Sequence, residues 1–235
     1  MSEGFSIEVM VRAPIERVWR ALRDPAEIRL WHGWDEPGLD AEIQFIYFEH
    51  ATETDEPYVL VMDPLETFTL DPHEDGTVLR LDRAPKEQAG EWAHSYDAIT
   101  QGWISFLQQL RFALERHPGR QRRTLVWSAT GDPEADLLDD GLLPAPVLGR
   151  WFTTDRQDGL VLDELGPGLL VAARQDASPG GPGVMAVLST YGVADADWDA
   201  VRDRWTGWSR LLPLLLCGPR STSDSRRTPL ATALP

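Results

Sequence analysis

The residues of this 235-residue chain that could carry chemistry are five histidines, one cysteine and a surplus of carboxylates. No two of His32, His50, His73, His94 and His117 lie at helical ligand spacing, and no HExxH occurs, so a metal centre built on paired imidazoles is not supported. Cys217 is the single cysteine, which excludes an internal disulfide and any multi-cysteine metal site. It closes an apolar run and is expected to be buried rather than reactive. No GxSxG elbow is present. Gly166-Pro167-Gly168 and the glycine-rich run 179–183 carry prolines, which remove N–H donors that a phosphate cradle would use, so both are read as turns. No metal, cofactor or catalytic residue is assigned on these grounds.

Four of the histidines fall in turns, loops or element ends, where exposure is expected. His94, near the start of a long helix, is expected to have a surface or capping role. Asp35-Glu36 and Glu53-Asp55-Glu56 are charge runs of the solvated kind. Glu66 and Asp82 lie in strands and are expected on the outer face, opposite Phe68, Leu79 and Leu81. The aromatic residues are the remaining signal. Trp31, Phe45, Tyr47, Tyr58, Phe68, Trp103 and Phe106, with Leu79, Leu81, Leu107 and Leu110, are expected to face the space between a sheet and the long helix. Tyr47, Tyr58 and Trp103 each add a polar tip that could orient a ligand by one hydrogen bond. Two readings stay open: the rings line a pocket, or they fill a core.

The elements that must position these residues are legible from periodicity. Ile7, Val9 and Val11 alternate with Glu8, Met10 and Arg12, as in a half-buried strand. Pro14 opens a helix whose Ile15, Val18, Trp19 and Leu22 share one face. Asp24-Pro25-Ala26-Glu27 combines an N-cap, a first-turn proline and a reciprocal acid, and so starts a second short helix ending near Trp31. Residues 33–40 read as a loop, 42–48 as a strand covered on both faces, and 49–56 as an exposed acidic hairpin or loop. Strands follow at 58–62, 66–70 and 77–82, the last two joined by a strong turn signal at 71–76. Residues 86–90 are polar and expected to be mobile. A helix spans 91–117, with Ile99, Trp103, Phe106, Leu107, Leu110 and Leu114 on one face and Gln101, Ser105, Gln108, Arg111 and Glu115 elsewhere. Pro118-Gly119 stops it.

This order of strand, two helices, antiparallel strands and a long closing helix resembles the START-like, helix-grip superfamily (SRPBCC), over about residues 5–117. The closest branch is the one named for homologues of the heat-shock-protein ATPase activator. The resemblance implies an α+β fold in which a curved antiparallel sheet wraps a long C-terminal helix. It also implies that the space between them is a hydrophobic ligand cavity, with Trp103 as its foremost residue. Three functions follow as expectations. The first is binding of a small apolar molecule as carrier, sensor or accessory protein, without evident catalysis. The second is a chaperone-associated or regulatory interaction. The third is a polyketide cyclase or hydratase-like activity, for which Tyr47, Tyr58 and His94 would be the acid–base candidates.

The second half echoes the first. Gly76-Thr77-Val78-Leu79 and Gly183-Val184-Met185 are each followed by a helix carrying Gly-Trp, at Gly102-Trp103 and Gly207-Trp208. Val201, Trp205, Trp208, Leu212 and Leu215 form a long apolar stripe, 160–164 and 169–174 read as a hairpin, 124–129 as a strand and 132–143 as a degenerate helix. Because the stretch after Trp151 is short, this copy is expected to lack some strands. The expected organisation is a START-like domain at 1–119, a shortened degenerate copy at 120–217 and a disordered tail at 218–235, the competing reading being one enlarged sheet with an added long helix.

The formal charge of −16 comes from 38 acidic and 22 basic residues, and most of the excess lies in the first half. Such a field repels phosphate backbones and anionic membrane surfaces, so neither is an expected partner. Arg120, Arg122 and Arg123 form a basic cluster read as a solvated linker. Lys86 is the only lysine, which weighs against Schiff-base chemistry. No secretory leader or bilayer-spanning run is read, so a cytoplasmic location is expected. The expected partners are a small apolar ligand and a homodimer mate or other protein.

Overall fold

The computed structural model describes residues 4–54, 56–62, 65–133, 138, 141–175 and 181–216. Its first unit opens with β1 (Phe5–Val11), which turns Ile7, Val9 and Val11 inward, and α1 (Ile15–Arg23), which buries Val18, Ala21 and Leu22. Asp24 Oδ1 accepts the Ala26 N–H at 2.9 Å and so caps α2 (Pro25–Ile28). Glu27 does not reach back to complete a capping box. The Asp24 N–H already bonds the Arg20 carbonyl at 2.9 Å, and Glu27 instead accepts from Arg17 Nη2 at 2.8 Å. The acid therefore ties α2 to α1 through a charge-assisted bond.

Residues 42–48 are not a strand. α3 (Leu39–Gln44) runs into a π-helical turn, Phe45–Glu49. Leu39, Ile43 and Tyr47 recur every four residues, and all three are buried on one side of this segment. Four strands follow: β2 (Ala51–Glu53), β3 (Val59–Met62), β4 (Glu66–His73) and β5 (Gly76–Arg83). The β4–β5 turn is tighter than its sequence signal, because β4 extends to His73. Two 3-10 segments, Lys86–Gln88 and Gly90–His94, occupy the stretch expected to be mobile and the expected start of the long helix. α4 begins later, at Tyr96–Arg116. The sheet is antiparallel in the order β1-β5-β4-β3-β2, with Leu81 opposite both Ile7 and Phe68.

The second unit comprises β6 (Arg122–Thr130), β7 (Val147–Thr153), β8 (Gln157–Asp163), β9 (Pro167–Gln175), β10 (Gly183–Tyr191), α5 (Asp195–Ser209) and α6 (Leu212–Leu216). Its sheet order, β6-β10-β9-β8-β7, reproduces the first, strand for strand. The copy is therefore not short of strands, contrary to expectation. It differs in having no counterpart of α1–α3 among the described residues. The expected helix at 132–143 lies partly outside them, and the described positions there form turns. The expected tail and Cys217 also lie outside the described residues. The repeat is marked by a shared backbone device. A Cβ on Gly76 would meet the Val11 carbonyl at 2.2 Å, and one on Gly183 would meet the Ala129 carbonyl at 2.1 Å. In both units the last strand starts so close to the first that a side chain has no room.

The layers run sheet, α4, second sheet, α5. α4 sets Trp103, Leu107 and Leu110 toward the first sheet. Phe112, on its other side, meets Trp151 and Tyr191 of the second sheet at 5.1 and 5.8 Å. β9 accordingly buries both faces: Leu169 and Val171 pack with the α4 cluster, and Leu170 packs with Val201, Trp205 and Trp208. The polar face of α4 is bonded to the second unit. Ser105 donates to Gln157 Oε1 at 2.8 Å, and Gln157 Nε2 donates to the Gln101 carbonyl at 2.7 Å. Arg122, expected in a solvated linker, is 4% exposed.

Candidate functional site

The floor of the grip is set by strand alternation: Phe68, Leu79 and Leu81 face inward from β4 and β5 and are fully buried. Trp103 lies over them from α4, with its ring 5.6 Å from Phe68, 5.8 Å from His32, 6.0 Å from Phe106 and 6.5 Å from Tyr47. Trp31, Tyr47, Phe68, Leu79, Leu81, Trp103, Leu107 and Leu110 belong to one buried cluster. Phe106 and Tyr58 are partly buried against it, and Tyr58 sets its ring edge-on to Trp19 at 5.8 Å. Phe45 is placed elsewhere. The helical course of the segment leaves it 50% exposed, with its ring 4.1 Å from that of His50.

Two polar assemblies reach this apolar interior. The first is an ion pair behind Trp103. The indole Nε1 donates to Glu66 Oε1 at 2.9 Å, and Arg83 Nε donates to the same oxygen at 2.7 Å. Arg83 is further held by the Tyr96 carbonyl at 3.0 Å, by the Thr100 hydroxyl, and by the Tyr96 ring 4.2 Å below its guanidinium. Glu66 is thus turned inward, not outward as expected. It shares strand parity with Phe68, so the same alternation that buries the phenyl ring buries the carboxylate.

The second assembly is a chain of three groups. The Tyr47 hydroxyl lies 3.0 Å from His32 Nδ1, and His32 Nε2 lies 3.3 Å from Glu42 Oε1. Glu42 is half exposed, His32 is 1% exposed and Tyr47 is fully buried, so the chain runs from solvent into the core. Burial holds the His32 imidazole below its ordinary pKa of 6.5, against the opposing pull of Glu42. The hydrogen bond from His32 holds the Glu42 carboxyl low, and burial pushes the Tyr47 phenol well up. A neutral imidazole donating from Nε2 to the carboxylate leaves Nδ1 to accept the Tyr47 proton. Tyr47 itself sits in the π-helical turn, an irregularity frequent at functional sites.

Among the acid–base candidates, Tyr47 is met by His32 rather than by Tyr58 or His94. His94 is exposed on the 3-10 segment. Sequence reasoning missed His32 because it placed the residue in a solvated loop. His117 was misplaced in the same way: it is 8% exposed and stacks on Tyr191 at 4.6 Å. The Trp31 indole is spent on the Ala21 carbonyl at 2.9 Å, which leaves its apolar face to the cluster. Among the described residues, no group of three or more His, Cys, Asp or Glu side chains could hold a metal ion, and no helix is long and apolar enough to cross a membrane.

The first unit is a helix-grip module in which a sheet and a long helix enclose an aromatic interior. Residues 12–115 match the family described as Activator of Hsp90 ATPase homolog 1-like protein. Among solved structures, the chain is similar to DynU16, from the dynemicin biosynthetic locus, at 17% identity and a TM-score of 0.35. That alignment covers 92% of this chain and 98% of the other. It is also similar to the di-domain ARO/CYC protein BexL from the BE-7585A biosynthetic pathway, at 13% identity and a TM-score of 0.32, covering 93% of this chain and all 100% of that one. The Bacillus halodurans protein BH1534 aligns at 20% identity and a TM-score of 0.34, over 48% of this chain and 98% of its own. No curated protein matches the chain significantly.

Proposed function

We propose that the first unit binds a small, largely apolar, ring-bearing molecule between its sheet and α4, with Trp103 as the stacking surface and Tyr47 as the polar anchor. The observation that carries this reading is the Glu42–His32–Tyr47 chain, set into a wall that is otherwise aromatic and aliphatic. Phenylalanine at 47 and leucine at 32 would pack such a core without the cost of burying a phenol and an imidazole. A ligand that must be oriented within an apolar site needs that kind of sparse, fixed polar point. The test is titration of the whole chain with prodan, a neutral naphthyl ketone, together with native mass spectrometry of the purified protein for co-purifying molecules. Binding that weakens in Tyr47→Phe and Trp103→Leu supports the reading. Absence of binding and of any co-purifying molecule sinks it.

The same chain favours a second reading, in which His32, once protonated, donates to both Glu42 and the Tyr47 oxygen. The Tyr47 O–H is thereby released to donate to the carbonyl of a bound ketone, and proton exchange with solvent at the adjacent carbon is accelerated. Incubation with a simple 1,3-diketone in D2O, followed by NMR, measures that exchange. A rate equal to that of His32→Gln would remove this reading while leaving ligand binding untouched.

A further inference from the structure

The interior residues of the grip are sealed, so any ligand needs a part that moves, and the described structure offers one. We propose that residues 33–38 form a gating strap over the grip and that the second unit is its latch. The proposal rests on the ligand-binding reading above and assigns the regulation of that same site.

The strap is bracketed by two glycines in the left-handed region, Gly33 at φ +60° and Gly38 at φ +108°. At Gly38 an added Cβ would meet nothing within 4 Å, so backbone conformation rather than space accounts for glycine there. Between them Trp34, partly exposed, sets its ring 5.1 Å from Phe106 at 63°. Phe106 in turn lies 4.8 Å from His32 and 6.0 Å from Trp103. Trp34, Phe106 and Trp103 thus form a line of rings from the surface to the buried floor, and rotation of the strap about its glycines would uncover that line first.

What holds the strap comes from β6, in the other unit. The Asp35 N–H donates to Thr124 Oγ1 at 2.7 Å, and Arg122 Nη2 donates to the His32 carbonyl at the root of the strap. Arg122 Nη1 also donates to Gln109 Oε1 of α4 at 3.0 Å, and that oxygen accepts from Ser189 of β10 at 2.7 Å. Among the described residues no carboxylate pairs with Arg122, although its side chain is buried. Its two Nη groups are held by an amide oxygen and a backbone carbonyl, while its buried Nε has no hydrogen-bond partner among the described residues, so the two contacts it does make would be costly to abandon. The Thr124 bond is the weaker and more peripheral of the two, and with the Arg29–Asp35 ion pair at 3.3 Å it closes the outer end of the strap. The geometry therefore divides the latch into a fixed root at His32–Arg122 and a releasable end at Asp35–Thr124. In this arrangement the second unit governs access to the first.

The experiment uses the full chain and two variants, Thr124→Val and Trp34→Ala, with two readouts. Amide hydrogen exchange follows the Asp35 N–H against the amides of α4, and stopped-flow fluorescence follows prodan binding. Thr124→Val removes the acceptor without adding bulk. Asp35 exchange is expected to rise about fivefold or more, the effect of losing one hydrogen bond, with α4 unchanged. Prodan association and dissociation should both quicken by a similar factor while Kd moves less. Trp34→Ala should quicken association further, and Thr124→Val should then add nothing to it. Prodan that binds with rates indifferent to both variants overturns the gate, as does Asp35 exchange unchanged by Thr124→Val. Prodan that binds neither the native chain nor Trp34→Ala overturns the ligand reading, and the gate with it.

Discussion

The indole of Trp103 donates to a Glu66 oxygen that also receives Arg83, at 2.9 and 2.7 Å, so a carboxylate on β4 fixes the ring that spans the grip. The arrangement orders the effects of mutation. Glu66→Gln removes the counter-charge of an arginine whose side chain is 2% exposed. It should cost about 3–5 kcal/mol, the usual result of stranding a buried charge. Trp103→Phe keeps the ion pair and most of the ring, and should cost about 1–3 kcal/mol for the lost bond and volume. Urea midpoints of the two variants check the order. A larger loss in Trp103→Phe would mean that packing, not the ion pair, sets the position of α4.

Acidification should destabilise the protein through His32. Its folded-state pKa lies below the ordinary 6.5, so the unfolded chain binds the extra proton first. Stability is then fully present above the unfolded value and falls as pH drops through and below it. Glu42, also held low, adds a loss of the same sign at lower pH, beneath its ordinary 4.5. His117 is likewise lowered by burial and contributes in the same window as His32. Chemical denaturation between pH 7.5 and pH 5, both values chosen to bracket the ordinary histidine pKa, should show a falling midpoint. His32→Gln should flatten that slope partly, and His32→Gln with His117→Gln should flatten it more. A slope unchanged by either variant would assign the acid sensitivity to other groups.

Much of this architecture was legible because local signals agreed with the tertiary result. The alternation in β1, the Asp24 cap and the apolar stripe of α5 each follow from neighbouring residues alone. The segment around Tyr47 was misread because a short apolar run satisfies both a strand covered on two faces and a buried helix. The signal that resolves it is the spacing of Leu39, Ile43 and Tyr47, which a window starting at Glu42 cuts off. The inward turn of Glu66 was legible too, in its shared parity with Phe68. The rest was not. Ser105 and Gln109 have the composition of a solvated face, and only a second sheet folded elsewhere in sequence supplies Gln157 to the Ser105 hydroxyl and Ser189 and Arg122 to the Gln109 oxygen. His32 is buried for a different non-local reason, because Tyr47, Trp103 and Phe106 of its own unit close around the ring.

The repeat can be tested at its paired glycines. Gly76→Ala and Gly183→Ala each drive a methyl group into a carbonyl of the neighbouring strand, at 2.2 and 2.1 Å. Backbone on both sides leaves little room to yield, so each should cost about 2–4 kcal/mol, well above the typical surface substitution. Thermal denaturation compares them. Because Gly76 also has φ +147°, its substitution should be the more damaging. Equal mild losses would show that the strand ends can separate cheaply.

The two units should not behave as independent bodies, and the reason lies on α4. Phe112 is fully buried with Trp151 and Tyr191 set against its ring, and Trp151 also receives the Arg111 guanidinium 4.3 Å from its ring and donates to the Gln108 carbonyl at 3.3 Å. Residues 1–119 expressed alone would expose Phe112 beside Ser105 and Gln109, presenting an apolar strip that nothing in the first unit can cover. That fragment is expected to bind the dye ANS strongly and to unfold at a lower urea concentration than the full chain. The full chain should lose both sheets in one transition, because the α4 face is shared by both. Tryptophan emission draws on both units, through Trp31 and Trp103 in the first and Trp205 and Trp208 in the second, so a single cooperative transition would show this coupling. Two separated transitions, or a fragment as stable as the whole, would mean that the hydrogen-bonded face of α4 contributes little once water replaces the second sheet.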